Sequence, residues 1–127
     1  KKSELLGACS RQEVAALLQS SELFVLSSVS EGLPRVVLEA IACGTPVVVT
    51  DVGDCKKVAE GVGLVVEPGN AQALAKAISQ LIQDKDMWAS CAENCRQVRE
   101  KYGWKFVVNT VYKVYQNLLS AENSKQH

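Results

Sequence analysis

The chain has 127 residues, of which 14 are basic and 14 acidic, so its formal net charge at pH 7 is zero. This length suits a single domain, and the balanced charge argues against nucleic acid or an anionic membrane surface as the partner. We expect neither a membrane-spanning segment nor a signal peptide, because no apolar run is long enough for the first and no stretch has the features of the second. Five cysteines without the spacing of a disulfide framework or a zinc site favour free thiols in the cytoplasm.

The first half of the chain alternates short apolar runs with helical patterns. Residues 4–8 predict a weak first strand, and a helix follows over residues 11–19. Three further apolar runs predict strands at 23–27, 46–50 and 63–67. Near-continuous apolar strands separated by helices indicate an α/β fold with a parallel sheet covered by helices on both faces.

The second half of the chain shows helical patterns alone. Asn70 is a suitable cap for a helix whose apolar residues recur at helical spacing, and a second helix is predicted over residues 87–102. A third is predicted over residues 104–119. We therefore expect one domain over residues 1–120, followed by a frayed polar tail over residues 121–127.

A lone carboxylate interrupts the helix predicted between the strands at 23–27 and 46–50. Pro34 fits the first turn of this helix and Gly44 closes it, and every residue from 36 to 43 is apolar or small except Glu39. A helix that is apolar all round is expected in the interior, where a charge is costly. Glu39 therefore either lies at the rim, solvated or paired with a basic residue, or accepts hydrogen bonds from the hydroxyls of a ligand.

The residues before this helix offer a second carboxylate and a site for an anion. Glu31 is followed by Gly32, which lets a ligand approach the backbone closely, and the start of the helix presents free N–H groups that suit phosphate. Arg35 adds positive charge there or is solvated. Glu31 is itself either a solvated loop residue or a ligand contact. The order of these groups suits a sugar, a phosphate group and a ribose.

The segment over residues 30–53 resembles the donor-binding segment of GT-B fold glycosyltransferases, in particular the retaining family 4 enzymes. It reads SEGLPRVVLEAIACGTPVVVTDVG. The hallmark of that family is two glutamates separated by seven residues, matched here by Glu31 and Glu39, and then a G-x-P-V-V strand, matched from Gly44 onward. The flanking segments agree over nearly the whole chain. The resemblance implies a Rossmann-like sheet that forms the second half of a GT-B C-terminal domain.

The resemblance also assigns roles to the residues of the motif. Glu31 is the candidate catalytic residue and would contact hydroxyls of the transferred sugar, beside Gly32 and Leu33. Glu39 would bind the ribose, and the nucleobase would lie near residues 7–10. The diphosphate would be held by backbone N–H groups at Gly32, Leu33, Arg35 and Val36. Glu31 as a covalent nucleophile is the weaker alternative to hydroxyl binding.

One loop departs from the pattern of the family. Residues 51–57 carry Asp54 where the family often has a glycine, and Lys57 where it has a glutamate. The role of this loop is therefore left open. No acidic pair suggests a metal site, so we expect no cofactor and no metal, with a UDP- or GDP-sugar as the co-substrate.

The reaction implied is transfer of a sugar from a nucleotide-diphosphate sugar to an acceptor hydroxyl with retention of configuration. The alternatives are a nucleotide-sugar epimerase of the same fold, a non-catalytic nucleotide-sugar-binding module and a small flavodoxin-like module. In the strand order 3-2-1-4-5-6 the strand at 4–8 would be third and the later ones fourth to sixth. We therefore expect this chain alone to be inactive and to need the N-terminal part of the enzyme or a second copy, in the cytoplasm or at the inner face of a membrane.

Overall fold

The computed structural model describes residues 3–32, 34–101 and 116. Its centre is a parallel sheet of three strands, which lie side by side in chain order. The strands are β1 (Phe24–Leu26), β2 (Val47–Thr50) and β3 (Gly63–Val66). The register pairs Phe24 with Val47 and Val47 with Gly63. Each strand coincides with a predicted apolar run. The strands are adjacent in the sheet in chain order, as expected for the fourth, fifth and sixth strands of the order 3-2-1-4-5-6.

Within the described residues, five helices with defined bounds precede, connect or follow the strands. They are α1 (Arg11–Ser20), α2 (Arg35–Ala42), α3 (Cys55–Ala59), α4 (Ala71–Gln83) and α5 (Lys85–Lys101). The predicted cap of α4 is confirmed, because the Asn70 side chain accepts a hydrogen bond of 2.9 Å from the N–H of Ala73. None of the helices in the described ranges has both the length and the apolar character that crossing a membrane requires.

The core lies on both faces of the sheet. β2 is the central strand and is buried along its whole length. Alternation along the strand sends Val47 and Val49 to one face, where they pack with buried residues of α1, α2 and α3, and sends Val48 to the other. There Val48 contacts a cluster that includes Leu81 of α4 and Cys91 of α5. The prediction of a parallel sheet covered on both faces is therefore confirmed.

Two predicted elements differ from the structure, and one observed helix was not predicted. Residues 4–8 form no strand, because Gly7 has a φ of +67° that extended backbone does not allow, and Leu5 is fully exposed rather than packed. The helix predicted from residue 87 begins at Lys85, since Asp84 ends α4 and its side chain accepts a hydrogen bond from the N–H of Met87. The short helix α3 was not predicted.

The predictions for the end of the chain lie outside the described residues. They concern the helix over 104–119 and the polar tail over 121–127. Gln116 is the one described residue of this part, and it is helical.

Candidate functional site

The candidate site lies at the edge of the sheet where the parallel strands end. The loop after β1 carries Glu31, which is exposed, and the loop after β2 carries Asp51 and Asp54, which are exposed as well. Because carboxyl ends of parallel strands meet at one edge, these two loops are neighbours. Open parallel sheets bind their ligands at this edge.

Three hydrogen bonds hold the loop of Glu31 in place. The hydroxyl of Thr50, at the end of β2, donates to the carbonyl oxygen of Ser28 at 2.5 Å. The N–H of Asp54 donates to the carbonyl oxygen of Gly32 at 2.9 Å. The hydroxyl of Ser28 in turn donates to Oε1 of Glu31 at 3.1 Å. The first two bonds fix the backbone on both sides of Glu31, and the third reaches its carboxylate.

Gly53 brings the two loops into direct contact. It has a φ of +52°, and a Cβ at this position would lie 1.8 Å from the carbonyl oxygen of Gly32 and 2.4 Å from that of Glu31. No side chain fits there without moving the loops apart. The sequence left the role of residues 51–57 open, and the structure shows that residues 51–54 support the loop that carries Glu31.

The start of α2 presents its N–H groups without a capping side chain. Pro34 is the cap residue and provides no side-chain hydrogen bond, and no acidic residue lies in the first turn. The N–H of Val37 donates to the carbonyl oxygen of Pro34, which leaves the N–H groups of Arg35 and Val36 ahead of the first bond within the helix. Helices α1 and α4 both have capping side chains. The positive end of α2 therefore suits an anion.

Glu39 lies on the flank of α2, half-buried. The expectation that this helix is enclosed on all sides is wrong, because Val37, Ala40 and Ile41 form a buried face while Leu38 is 42% exposed. The helix packs one face on the sheet and leaves the other in solvent. Within the described part of the chain, Glu39 has no ion pair, so pairing with a basic residue is not observed.

The charges at this edge act on two cysteines nearby. Burial raises the pKa of the Cys55 thiol, and the negative charges of Glu31, Asp51 and Asp54 raise it further. Burial also raises the pKa of Cys43, with the charge of Glu39 as the second cause. Both thiols are therefore held in the neutral form. All five cysteines are free.

The structure brings most of the predicted site residues to one region. Glu31 and Gly32 precede α2, Arg35 and Val36 begin it, and Glu39 follows Arg35 by one turn, about 6 Å along the helix axis. Leu33 lies outside the described residues. The residues that support Glu31 were not predicted as part of the site, although Gly53 within an acidic loop was a signal for a tight backbone contact. They are Ser28, Thr50 and Gly53.

Two cavities lie beside this region. One of about 550 Å³ is lined by the loop after β2, by α3 and by β3. The other, of about 840 Å³, lies between α2, α3 and α5. Neither is lined by Glu31 or Glu39. Within the described ranges, no cluster of three metal-ligating side chains occurs.

Solved structures share this fold. Sucrose-phosphate synthase from Thermosynechococcus elongatus matches with a TM-score of 0.82 and 29% sequence identity, over 91% of this chain and 30% of that one. The Anabaena protein HepE in complex with UDP matches with a TM-score of 0.75 and 28% identity, over 87% of this chain and 30% of that one. The same protein in complex with UDP-glucose matches with a TM-score of 0.73. The fold is thus that of the GT-B glycosyltransferases.

Sequence comparisons agree with the fold. An uncharacterized glycosyltransferase of Methanocaldococcus jannaschii is 35% identical over 117 residues, which are 91% of this chain and 33% of that protein. The chain therefore spans about a third of the length of the proteins it matches. A family model described as glycosyl transferases group 1 matches residues 1–98. The resemblance identified from residues 30–53 is thereby confirmed, and the chain belongs to the glycosyl transferases group 1 family.

Proposed function

We propose that this chain binds the nucleotide-sugar donor of a glycosyltransferase, and that the donor is a UDP-sugar. One observation carries the proposal: the chain matches HepE, whose solved complexes hold UDP and UDP-glucose, over 87% of its own length. The motif that the family resemblance points to lies at the carboxyl ends of the strands, where an open parallel sheet binds ligands.

Glu31 contacts hydroxyls of the donor sugar in this proposal. Its carboxylate is exposed at the end of the sheet, and the hydroxyl of Ser28 occupies one position on Oε1. The remaining lone pairs are free to accept hydrogen bonds from sugar hydroxyls. A carboxylate held by a fixed loop can orient the sugar without forming a covalent bond to it.

The diphosphate lies at the start of α2. The N–H groups of Arg35 and Val36 have no capping side chain to compete with a ligand, and the helix dipole favours negative charge there. These groups stabilise the diphosphate as it departs, when its negative charge grows. Catalysis then rests on positioning and on electrostatic stabilisation of the leaving group.

Glu39 accepts hydrogen bonds from the ribose hydroxyls. It lies one helical turn beyond Arg35, half-buried and without an ion pair among the described residues. Its two oxygens can each accept a hydrogen bond from one hydroxyl of a vicinal diol. The distance along the helix is short enough for one nucleotide to reach both the start of α2 and this carboxylate.

The complete reaction moves the sugar to an acceptor hydroxyl with retention of configuration, with no metal or other cofactor. We propose that further protein, either an N-terminal domain or a second copy, completes the site, since this chain spans about a third of the length of the proteins it matches. The five free thiols support action in a reducing compartment such as the cytoplasm. Following the anomeric signal of the product by NMR tests retention, because an inverted product would contradict it.

Nucleotide binding tests the site. Titration calorimetry with UDP, GDP and ADP, on the protein in its full natural length, is expected to give the tightest binding with UDP. Glu39→Gln removes the charge without changing the size of the side chain, and we expect it to weaken UDP binding about tenfold, the loss typical of hydrogen bonds to a charged group.

A matched variant controls for the general loss of a negative charge. Glu22 is also exposed, but it precedes β1 and so lies at the opposite edge of the sheet. Glu22→Gln is expected to bind UDP as the wild type does. Unchanged UDP affinity in Glu39→Gln would refute the ribose contact and favour a solvated side chain, and no binding of any of the three nucleotides would refute the proposed function.

A further inference from the structure

The loop after β2 contacts the loop of Glu31 at several points, although it carries no residue that the proposed function assigns to the donor. We propose that Thr50 and Ser28 are positioning residues, which fix the carboxylate of Glu31 so that it can bind the donor sugar. The inference rests on the proposed function, because it concerns the same carboxylate. Thr50 lies at the end of β2, directly before this loop.

Thr50 is the anchor of this arrangement. It is the last residue of β2, and only 2% of it is exposed, in a strand whose other three residues are valines. Its hydroxyl is buried and must find an acceptor, since an unpaired buried hydroxyl is costly. The acceptor is the backbone carbonyl of Ser28, in the neighbouring loop. The end of the most buried strand thus determines where Ser28 lies.

Ser28 connects Thr50 to the carboxylate of Glu31. Its hydroxyl donates to Oε1 of the carboxylate at 3.1 Å, while its carbonyl oxygen is held by Thr50. The backbone after Glu31 is held separately, by the N–H of Asp54 on the carbonyl oxygen of Gly32. Glu31 is exposed and would otherwise sample several rotamers, so one fixed hydrogen bond to its carboxylate lowers the entropy lost when the sugar binds.

The test compares binding of UDP-glucose with binding of UDP, by calorimetry on the protein in its full natural length. Ser28→Ala and Thr50→Val each remove one hydroxyl. We expect each substitution to weaken the binding of UDP-glucose about three- to tenfold, because it removes a hydrogen bond that orients a charged group. UDP affinity is expected to stay within about twofold of the wild-type value, since the groups on α2 are unchanged.

Conservative variants separate positioning from a general loss of structure. Ser28→Thr and Thr50→Ser keep the hydroxyls and are expected to restore UDP-glucose affinity to within about twofold of the wild type. Ser30→Ala removes a neighbouring exposed hydroxyl of the same loop and is expected to change neither ligand's affinity. A general loss of structure would instead weaken both ligands together and lower the melting temperature, which would overturn the inference.

Glu31→Gln distinguishes failure of this inference from failure of the proposed function. We expect Glu31→Gln to weaken the binding of UDP-glucose but not that of UDP. Adding Ser28→Ala to Glu31→Gln is expected to weaken UDP-glucose binding no further. If Glu31→Gln leaves UDP-glucose affinity unchanged, Glu31 does not contact the sugar, and the positioning role of Ser28 and Thr50 is refuted as well. If Glu31→Gln weakens UDP-glucose while Ser28→Ala and Thr50→Val do not, only the positioning role is overturned.

Discussion

Substitution of Gly53 by alanine measures how tightly the two loops of the candidate site are packed. A Cβ on Gly53 would lie 1.8 Å from the carbonyl oxygen of Gly32, whereas ordinary contacts begin at 3.4 Å. The loops would have to separate by roughly 1.5 Å to restore contact at normal distance. The hydrogen bond from Asp54 to Gly32, at 2.9 Å, does not survive such a movement.

The expected cost has two parts. Alanine in the left-handed region costs about 1 kcal/mol, and loss of the hydrogen bond, with repacking of the loops, adds about 2 kcal/mol. We therefore expect Gly53→Ala to lower the free energy of unfolding by about 3 kcal/mol. For a chain of this size that corresponds to a fall in melting temperature of roughly 12 °C.

Gly69 provides the matched control. It also has a positive φ, +75°, but a Cβ there would meet nothing within 4 Å. Gly69→Ala therefore carries the conformational cost alone, about 1 kcal/mol, which lowers the melting temperature by roughly 4 °C. Alanine also reduces the conformational freedom of the unfolded chain, but this effect is the same in both variants and cancels in the comparison. Circular dichroism during thermal unfolding compares the two. Equal falls in melting temperature would refute the packing argument, because crowding would then contribute nothing.

Three further predictions concern the core and its capping. Burial raises the pKa of Cys95 to about 12, with Cys91 as the second cause. Below about pH 9, the pKa of this thiol in the unfolded chain, it is protonated in both states and stability has its full value. As the pH rises from 9 toward 12, the unfolded chain loses this proton while the folded chain keeps it, so the free energy of unfolding falls. We expect the melting temperature to fall above pH 9 and to fall less steeply in Cys95→Ala; equal slopes would contradict the assignment. Leu81→Ala empties a fully buried position between α4 and the sheet and is expected to cost about 2–5 kcal/mol in urea unfolding, so a cost under about 1 kcal/mol would contradict its burial. Asn70→Ala removes the cap of α4 at a cost of about 1 kcal/mol, which Asn70→Ser is expected to reduce; if both variants lose equally, the side-chain cap does not act as described.

The sequence predicted those elements whose signal is local. The apolar runs of β1, β2 and β3 are short and nearly uninterrupted, and the helix between β1 and β2 was predicted as well, so the sequence pattern indicated the parallel sheet. Asn70 is a cap by residue type, and Pro34 and Gly44 mark the ends of α2. The prediction of a strand over residues 4–8 was wrong because composition does not reveal that Gly7 has a positive φ.

The details of the candidate site depend on contacts between residues distant in the chain. Thr50 and Ser28 are 22 residues apart, and neither shows by itself that it will bond to the other. The helix α3 was missed because it is only five residues long, too short for its apolar positions Cys55, Val58 and Ala59 to show a repeat. The paired glutamates were found through a family resemblance, and their roles toward a donor stay predictions.

The position of β1 has a consequence for handling the protein. Within the described sheet β1 pairs with β2 alone, so its second side presents free backbone groups, and Val25 beside them is 37% exposed. Such an edge can pair with a further strand of the same protein or with a strand of another molecule, and the second case promotes aggregation at high concentration. The strand is only three residues long, which limits aggregation through this edge.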